Sequence, residues 1–185
     1  LLILGTLFFI TKTLVEEAIA IGRSHNYAPT QPIKFSHQIH SGQNQTDCQY
    51  CHYSAGYSKS AAIPDANVCM NCHLIVRNGS NSGAFEIAKL IDAYETETPI
   101  KWIRVHNNPD HVFFSHAQHV ETGKVECQEC HGAVEEMHIL KQVSDLSMGW
   151  CIDCHREREV SFHSNKFYNQ YKDLRKQLES GIVDS

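Results

Sequence analysis

Phe35–His52 reads FSHQIHSGQNQTDCQYCH, and 79 positions later Phe114–His131 reads FSHAQHVETGKVECQECH. Each copy holds a Phe-Ser-His-x-x-His hexapeptide and, eight positions after its last histidine, a Cys-x-x-Cys-His unit. A second unit follows in each half, Cys69, Cys72, His73 and Cys151, Cys154, His155, with an offset of 82. The chain therefore reads as a duplicated module carrying a small insertion or deletion.

All eight cysteines of the 185 residues belong to these four units: Cys48 and Cys51, Cys69 and Cys72, Cys127 and Cys130, Cys151 and Cys154. Each pair is followed at once by histidine: His52, His73, His131 and His155. The spacing is that of covalent haem c attachment. Two thiols add to the two vinyl groups of one macrocycle, and the next imidazole reaches the iron. Two alternatives use CxxC pairs: tetrahedral zinc and a dithiol redox centre. Zinc leaves the four histidines unexplained. With 13 histidines in the chain, four at one fixed offset have a chance probability of about two in a hundred thousand. Four dithiol centres would be redundant, and none sits in an evident βαβ context.

Four irons ask for further axial ligands. Nine histidines lie outside the units: His25, His37, His40, His106, His111, His116, His119, His138 and His163. The repeat selects His37, His40, His116 and His119. A spacing of i and i+3 puts both imidazoles of each pair on one side of a helical turn.

FxHxxH ahead of CxxCH resembles the class III multihaem cytochromes. That resemblance implies that His37 serves the haem on Cys48 and Cys51 and His116 the haem on Cys127 and Cys130. His40 and His119 then serve the remaining two. The segments PIKFSH, DCQYCH, VCMNCH, WIRVHNNPD and MGWCIDCHRE together resemble the membrane-anchored multihaem cytochrome subunit of alternative complex III, a bacterial quinol:electron acceptor oxidoreductase. The resemblance covers about residues 31 to 170. It implies electrons arriving from an iron–sulfur partner and leaving toward a monohaem cytochrome c or a terminal oxidase. It also implies five haems, where this sequence shows four motifs. The chain begins at Leu1 without methionine and stops at Ser185, so a fifth CxxCH is expected beyond residue 185. His106 leads the candidates for its ligand, followed by His111, His138 and Met148.

Leu1–Ile10 reads LLILGTLFFI, ten residues without charge. As a helix these cover about 15 Å, half of a hydrocarbon core of about 30 Å. The readings are the outer half of a transmembrane helix, the apolar region of a signal peptide with a cleavage-like Ala18-Ile19-Ala20, or a buried core helix. A retained membrane anchor is the expectation. Leu14, Val15, Ala18, Ile19 and Ile21 extend it as an amphipathic stem that stops at Gly22.

The expected organisation is an anchor and stem over 1–22 and a linker over 23–33, with Pro29 and Pro32. A first dihaem module with connecting helix follows over 34–105, a second module over 106–165 and an amphipathic helix over 166–185. The connecting helix is expected over Phe85–Tyr94 and a short extended segment over Ile100–Val105. Phe167, Tyr171, Leu174 and Leu178 mark the C-terminal helix. The fold class is mainly α with much irregular structure, a class III-like multihaem cytochrome of two dihaem repeats preceded by a transmembrane helix.

A net charge of −5 points to no nucleic acid. No Ser/His/Asp set or paired carboxylates stand out, so no catalytic site beyond redox haem is expected. The expected location is the bacterial cytoplasmic membrane, with the haem domain on the periplasmic side. Two further function classes stay open: a multihaem periplasmic reductase with one open iron position, and a soluble-type electron carrier. A zinc scaffold follows only if the units hold zinc.

Overall fold

The structure, a computed structural model, describes residues 2–20, 23–158 and 166–180. Leu1, Ile21, Gly22, His163 and residues 181–185 lie outside the described residues. Nothing described bears on the side chains of Ile19, Phe167 and Tyr171.

The described residues form α-helices and irregular chain, with no strand among them. The helices are α1 (Leu2–Ala20), α2 (Cys48–Cys51), α3 (Ala66–His73), α4 (Gly83–Glu95), α5 (Cys127–His131), α6 (Met148–Glu157) and α7 (Lys166–Glu179). Each CxxCH unit sits on a short helix or at its end, because only a helical turn sets two cysteines three residues apart on one side. Acceptor side chains start three of these turns. Asp47 takes the N–H of Gln49 at 2.7 Å, Asp65 that of Asn67 at 2.9 Å, and Ser147 that of Trp150 at 3.4 Å. Each satisfies an N–H with no partner inside its helix.

The two FSHxxH segments fold alike, and not as ordinary α-turns. Each winds into a π-helical turn, Gln38–Gln43 and Gln118–Thr122. Asn44 N–H donates to Ile39 O at 3.0 Å and Gly123 N–H to Gln118 O at 2.8 Å. Thr46 N–H bonds His40 O and Val125 N–H bonds His119 O, both at 3.0 Å. All four donors and acceptors are equivalent under the 79-residue offset. A π-turn is wider than an α-turn and is frequent at functional sites.

The turns dock crosswise. Gln38 N–H donates to Met137 O at 3.0 Å, and Ala117 N–H to Ser58 O at 3.0 Å. Gln38 and Ala117 are 79 apart, and so are Ser58 and Met137, so each FSHxxH turn leans on the loop behind the other copy's first CxxCH. The joint is tight on one side, where a Cβ placed on Gly42 would overlap the carbonyl of Glu135.

α4 matches the expected connecting helix, one or two residues longer at each end. Its buried Glu86 accepts from Lys34 N–H at 2.9 Å and from the Lys89 ammonium at 2.9 Å. These bonds hold its carboxyl below the usual carboxylate range. The helix is thereby fixed to the start of the first repeat. Ile100–Val105 forms no strand. Instead Ile103 exchanges two bonds of 2.8 Å with the Gln31 amide, a side chain imitating a strand partner.

Residues 23–33, expected to run as an extended linker, are docked. Asn26 N–H donates to Gln142 O at 2.7 Å, Gln142 N–H to Tyr27 O at 3.1 Å, and Arg23 pairs with Asp145 at 2.9 Å. The Gln142 side chain is fully buried. Its oxygen takes Asn107 N–H at 2.9 Å and its amide donates to the carbonyls of Ser144 and Asp145. Through its main chain and its side-chain amide, Gln142 thus ties three stretches of strandless chain together.

The expected transmembrane helix is corrected: no described helix is long and apolar enough to cross a membrane. α1 does form, but Lys12, Glu16 and Glu17 charge its second half. Its apolar part ends near Ile10. There Ile3, Leu4, Leu7, Phe8, Phe9 and Ile10 are all exposed. In α7, Leu174 and Leu178 are also exposed.

Among the described residues only Ala55, Met70, Leu90 and Val105 are buried apolar side chains. That is a thin core for a chain of this length.

Three glycines are set by contact, Gly123 against His119 O in the second π-turn among them. Gly42 meets Glu135, and Gly132, at φ +72°, has Val143 against the place of its Cβ. Gly42→Ala and Gly132→Ala should each destabilise the folded protein by about 1–3 kcal/mol. Gly83→Ala, in open space at the start of α4, should be neutral or slightly stabilising. Thermal unfolding of the three variants checks this; equal midpoints would remove the tight joint.

Candidate haem-binding sites

The imidazoles come together in pairs. His40 faces His73 with ring centres 6.1 Å apart, and His119 faces His155 at 5.9 Å. His116 faces His131 at 6.4 Å with the rings parallel to within 3°. Two imidazoles on one iron, each bonded at about 2.0 Å, put ring centres about 6 Å apart. His37 lies beside His52: burial first, then the charges of His52, His40 and His106, lower its pKa to about 4. His131 falls to about 3, through burial and then His106 and His116. Both rings are neutral near pH 7, the state in which imidazole offers a lone pair to a metal.

Main-chain carbonyls aim these rings. The Nδ1–H groups of His52 and His73 donate to Ala62 O and Val76 O, each at 2.7 Å. Those of His40 and His119 donate to Ser36 O at 2.8 Å and Ser115 O at 2.9 Å. His116 Nδ1–H donates to Lys59 O at 3.0 Å. With Nδ1 committed, each ring presents Nε2. Ala62 takes a left-handed φ of +61° to supply its carbonyl, a conformation costing about 1 kcal/mol or more outside glycine.

Phe35 and Phe114 set the π-turns. Each stacks on the second histidine, His40 at 4.3 Å and His119 at 4.5 Å, and stands edge-on to the first, His37 at 4.9 Å and His116 at 4.8 Å. One aromatic ring therefore fixes two imidazoles that face two different CxxCH histidines.

The thiols are free, with no disulfide among them. Burial pushes Cys130 up to about 11, with Cys154 and Cys151 adding to it. Burial raises Cys51, with Cys48 and Cys72 as its nearest thiols, and Cys69, with Cys51 beside it. Cys127 is raised by burial and then by Cys48, with which it shares a side-chain hydrogen bond.

These residues fit haem c. Each unit brings two thiols free of disulfides and one imidazole, and in three units a second imidazole faces that one. The buried Nδ1 of His37 and Nε2 of His106 have no hydrogen-bond partner. Among the described residues no three His, Cys, Asp or Glu side chains converge on a metal-sized point. Haem brings its own four nitrogens and takes the thiols at its edge.

The minor candidates fall elsewhere. His106 stands edge-on to His131 at 4.3 Å, inside the cluster of His37, His116 and His131. His138 is tied through Nδ1 to the Ser36 hydroxyl at 3.0 Å. His111 lies in an exposed turn and Met148 opens α6, 44% exposed. Neither is brought beside a CxxCH imidazole among the described residues. His25 lies 3.8 Å from Asp145. Sequence reading missed the carbonyls of Lys59, Ala62 and Val76, since every residue carries one. The two phenylalanines were visible inside the repeat.

No protein-family model matches the chain. Over 101 residues it is 33% identical to the multihaem cytochrome c subunit of menaquinone reductase from Nitratidesulfovibrio vulgaris. The match takes in 55% of this chain and 45% of that protein, so the chain spans less than half the length of the relative. This likeness agrees with the donor set and supports a multihaem cytochrome c that transfers electrons.

His40→Ala should leave the iron site of Cys48, Cys51 and His52 as it is and convert that of Cys69, Cys72 and His73 to high spin. Low-temperature EPR and magnetic circular dichroism read the change. Unaltered ligation would remove His40 from the set.

Proposed function

We propose that the chain is a multihaem c-type cytochrome subunit of a respiratory quinol:electron acceptor oxidoreductase of the alternative complex III kind. It conducts electrons from an iron–sulfur, quinol-oxidising partner toward a monohaem cytochrome c or a terminal oxidase. When bound, haem supplies a reversible one-electron iron couple, with no bond made or broken in a substrate. The chain's own residues do the rest. Four thiol pairs would hold the groups, with His52, His73, His131 and His155 as one set of imidazole ligands and His37, His40, His116 and His119 as the other. One observation carries this reading: His73, His131 and His155 each face a second imidazole, and His37 lies beside His52. Closed positions suit conduction, whereas a reductase of small substrates needs one open.

The place is the periplasmic side of the bacterial cytoplasmic membrane, since c-type attachment in bacteria is completed outside it. The first half of α1 meets the lipid, because its apolar side chains point to every side, as in helices surrounded by an apolar medium. The resemblance to the alternative complex III cytochrome subunit supports a fifth haem beside these four. A second reading follows from the relative's name, in which electrons run toward menaquinone. Both directions use the same sites.

The purified complex should hold four haems c in this stretch of chain, and a quinol should reduce them in the dark without added mediator. Haem content by the pyridine haemochrome and stopped-flow absorbance measure this. Zinc without haem absorbance would overturn the reading. Reduction only by a soluble donor, with delivery to quinone, would favour the reverse direction. A substantial native high-spin fraction would favour the reductase.

A further inference from the structure

The two copies of the repeat meet through their first motifs. Each π-turn bonds the loop behind the other copy's first CxxCH, Gln38 on Met137 and Ala117 on Ser58. His116, opposite His131, is aimed by the carbonyl of Lys59, seven residues beyond His52. Within each copy one phenylalanine fixes both histidines of a π-turn, so the sites they face are neighbours. His37 and His40 join the Cys48 and Cys69 sites, and His116 and His119 join the Cys127 and Cys151 sites.

From this placement we propose that the four haem sites stand in single file. The order is Cys69/Cys72, Cys48/Cys51, Cys127/Cys130, Cys151/Cys154, so the second motifs are the two electron ports. The file is not the order of the motifs along the chain.

The thiols repeat the order. Cys51 has Cys72 and Cys69 beside it, Cys48 shares a hydrogen bond with Cys127, and Cys130 has Cys151 and Cys154 beside it. The first port is open: Cys72 is exposed, and Leu74, Ile75 and Val76 just beyond His73 are 55%, 88% and 51% exposed. His106, in the cluster at the central joint, is held there by its neighbour Asn107, whose N–H the buried Gln142 accepts.

This order rests on the proposed function only in taking the four CxxCH units as haem sites. The test uses the full-length, haem-loaded protein carrying His40→Met, His119→Met, His37→Met or His116→Met in turn. Methionine ligation raises one site's potential above the bis-histidine sites, so that site alone can be poised ferrous. Low-temperature EPR then counts how many of the remaining ferric signals change. Counted among the signals of these four sites alone, single file expects one for His40→Met and for His119→Met, and two for His37→Met and for His116→Met. Two for an end variant, or one for a central variant, overturns the order. For any variant that loads fewer haems by mass, the joint is tested instead with Ser58→Cys plus Ala117→Cys. A short bis-maleimide should bridge these within one chain, and failure to bridge overturns the meeting of the copies. Neighbour counts as expected without quinol-driven reduction would sink the proposed function alone. Wrong counts with quinol-driven reduction intact would sink the order alone.

Discussion

Everything in this molecule depends on one repeated hydrogen bond, the donation of an imidazole Nδ1–H to a main-chain carbonyl. Five of the eight histidines in the four imidazole pairs make it, at 2.7 to 3.0 Å. A free imidazole rotates about two side-chain bonds and exchanges tautomers. Committing Nδ1 removes both freedoms and leaves Nε2 as the only ligand atom. The loops have to run where these carbonyls are needed. Ala62 accepts a strained φ for that reason, and Lys59 serves a histidine 57 residues away.

The same requirement explains the π-turns. A histidine pair at i and i+3 on a regular α-helix points both rings to one side at nearly one height, suited to a single partner surface. Bonds from residue i+5 widen the turn, and the phenylalanine ring wedged against it separates the rings, one stacked and one edge-on. Each turn can then serve two CxxCH histidines. The feature occurs twice at equivalent positions, bond for bond, and the cross-docking of the turns follows the same offset.

The polypeptide contributes little apolar core of its own. Four small or medium side chains are buried among the described residues, beside Ser36, Ser54, Glu86 and Gln142. Buried polar groups of this kind are favourable only when bonded; Glu86 Oε2 takes two bonds, and Gln142 is bonded at both its oxygen and its amide nitrogen. They take over the role that a sheet plays elsewhere, fixing strandless chain at defined points. The likeness to a menaquinone reductase subunit and the donor set agree on haem as the group held by such a frame.

The sequence by itself carried the CxxCH units, the duplicated hexapeptides and the helical character, all legible because such spacings and helical capping are local, fixed by residues a few positions apart. It also carried the apolar end of α1, though not whether that end could span a bilayer, which three charges decided against for the helix as described. What only the tertiary structure decided is nonlocal. The aiming carbonyls, the hub at Gln142, the docked segment 23–33 and the crossing of the two copies depend on main-chain groups that every residue possesses. No residue type marks them, and they become visible only when distant stretches of chain have been brought to hydrogen-bonding distance.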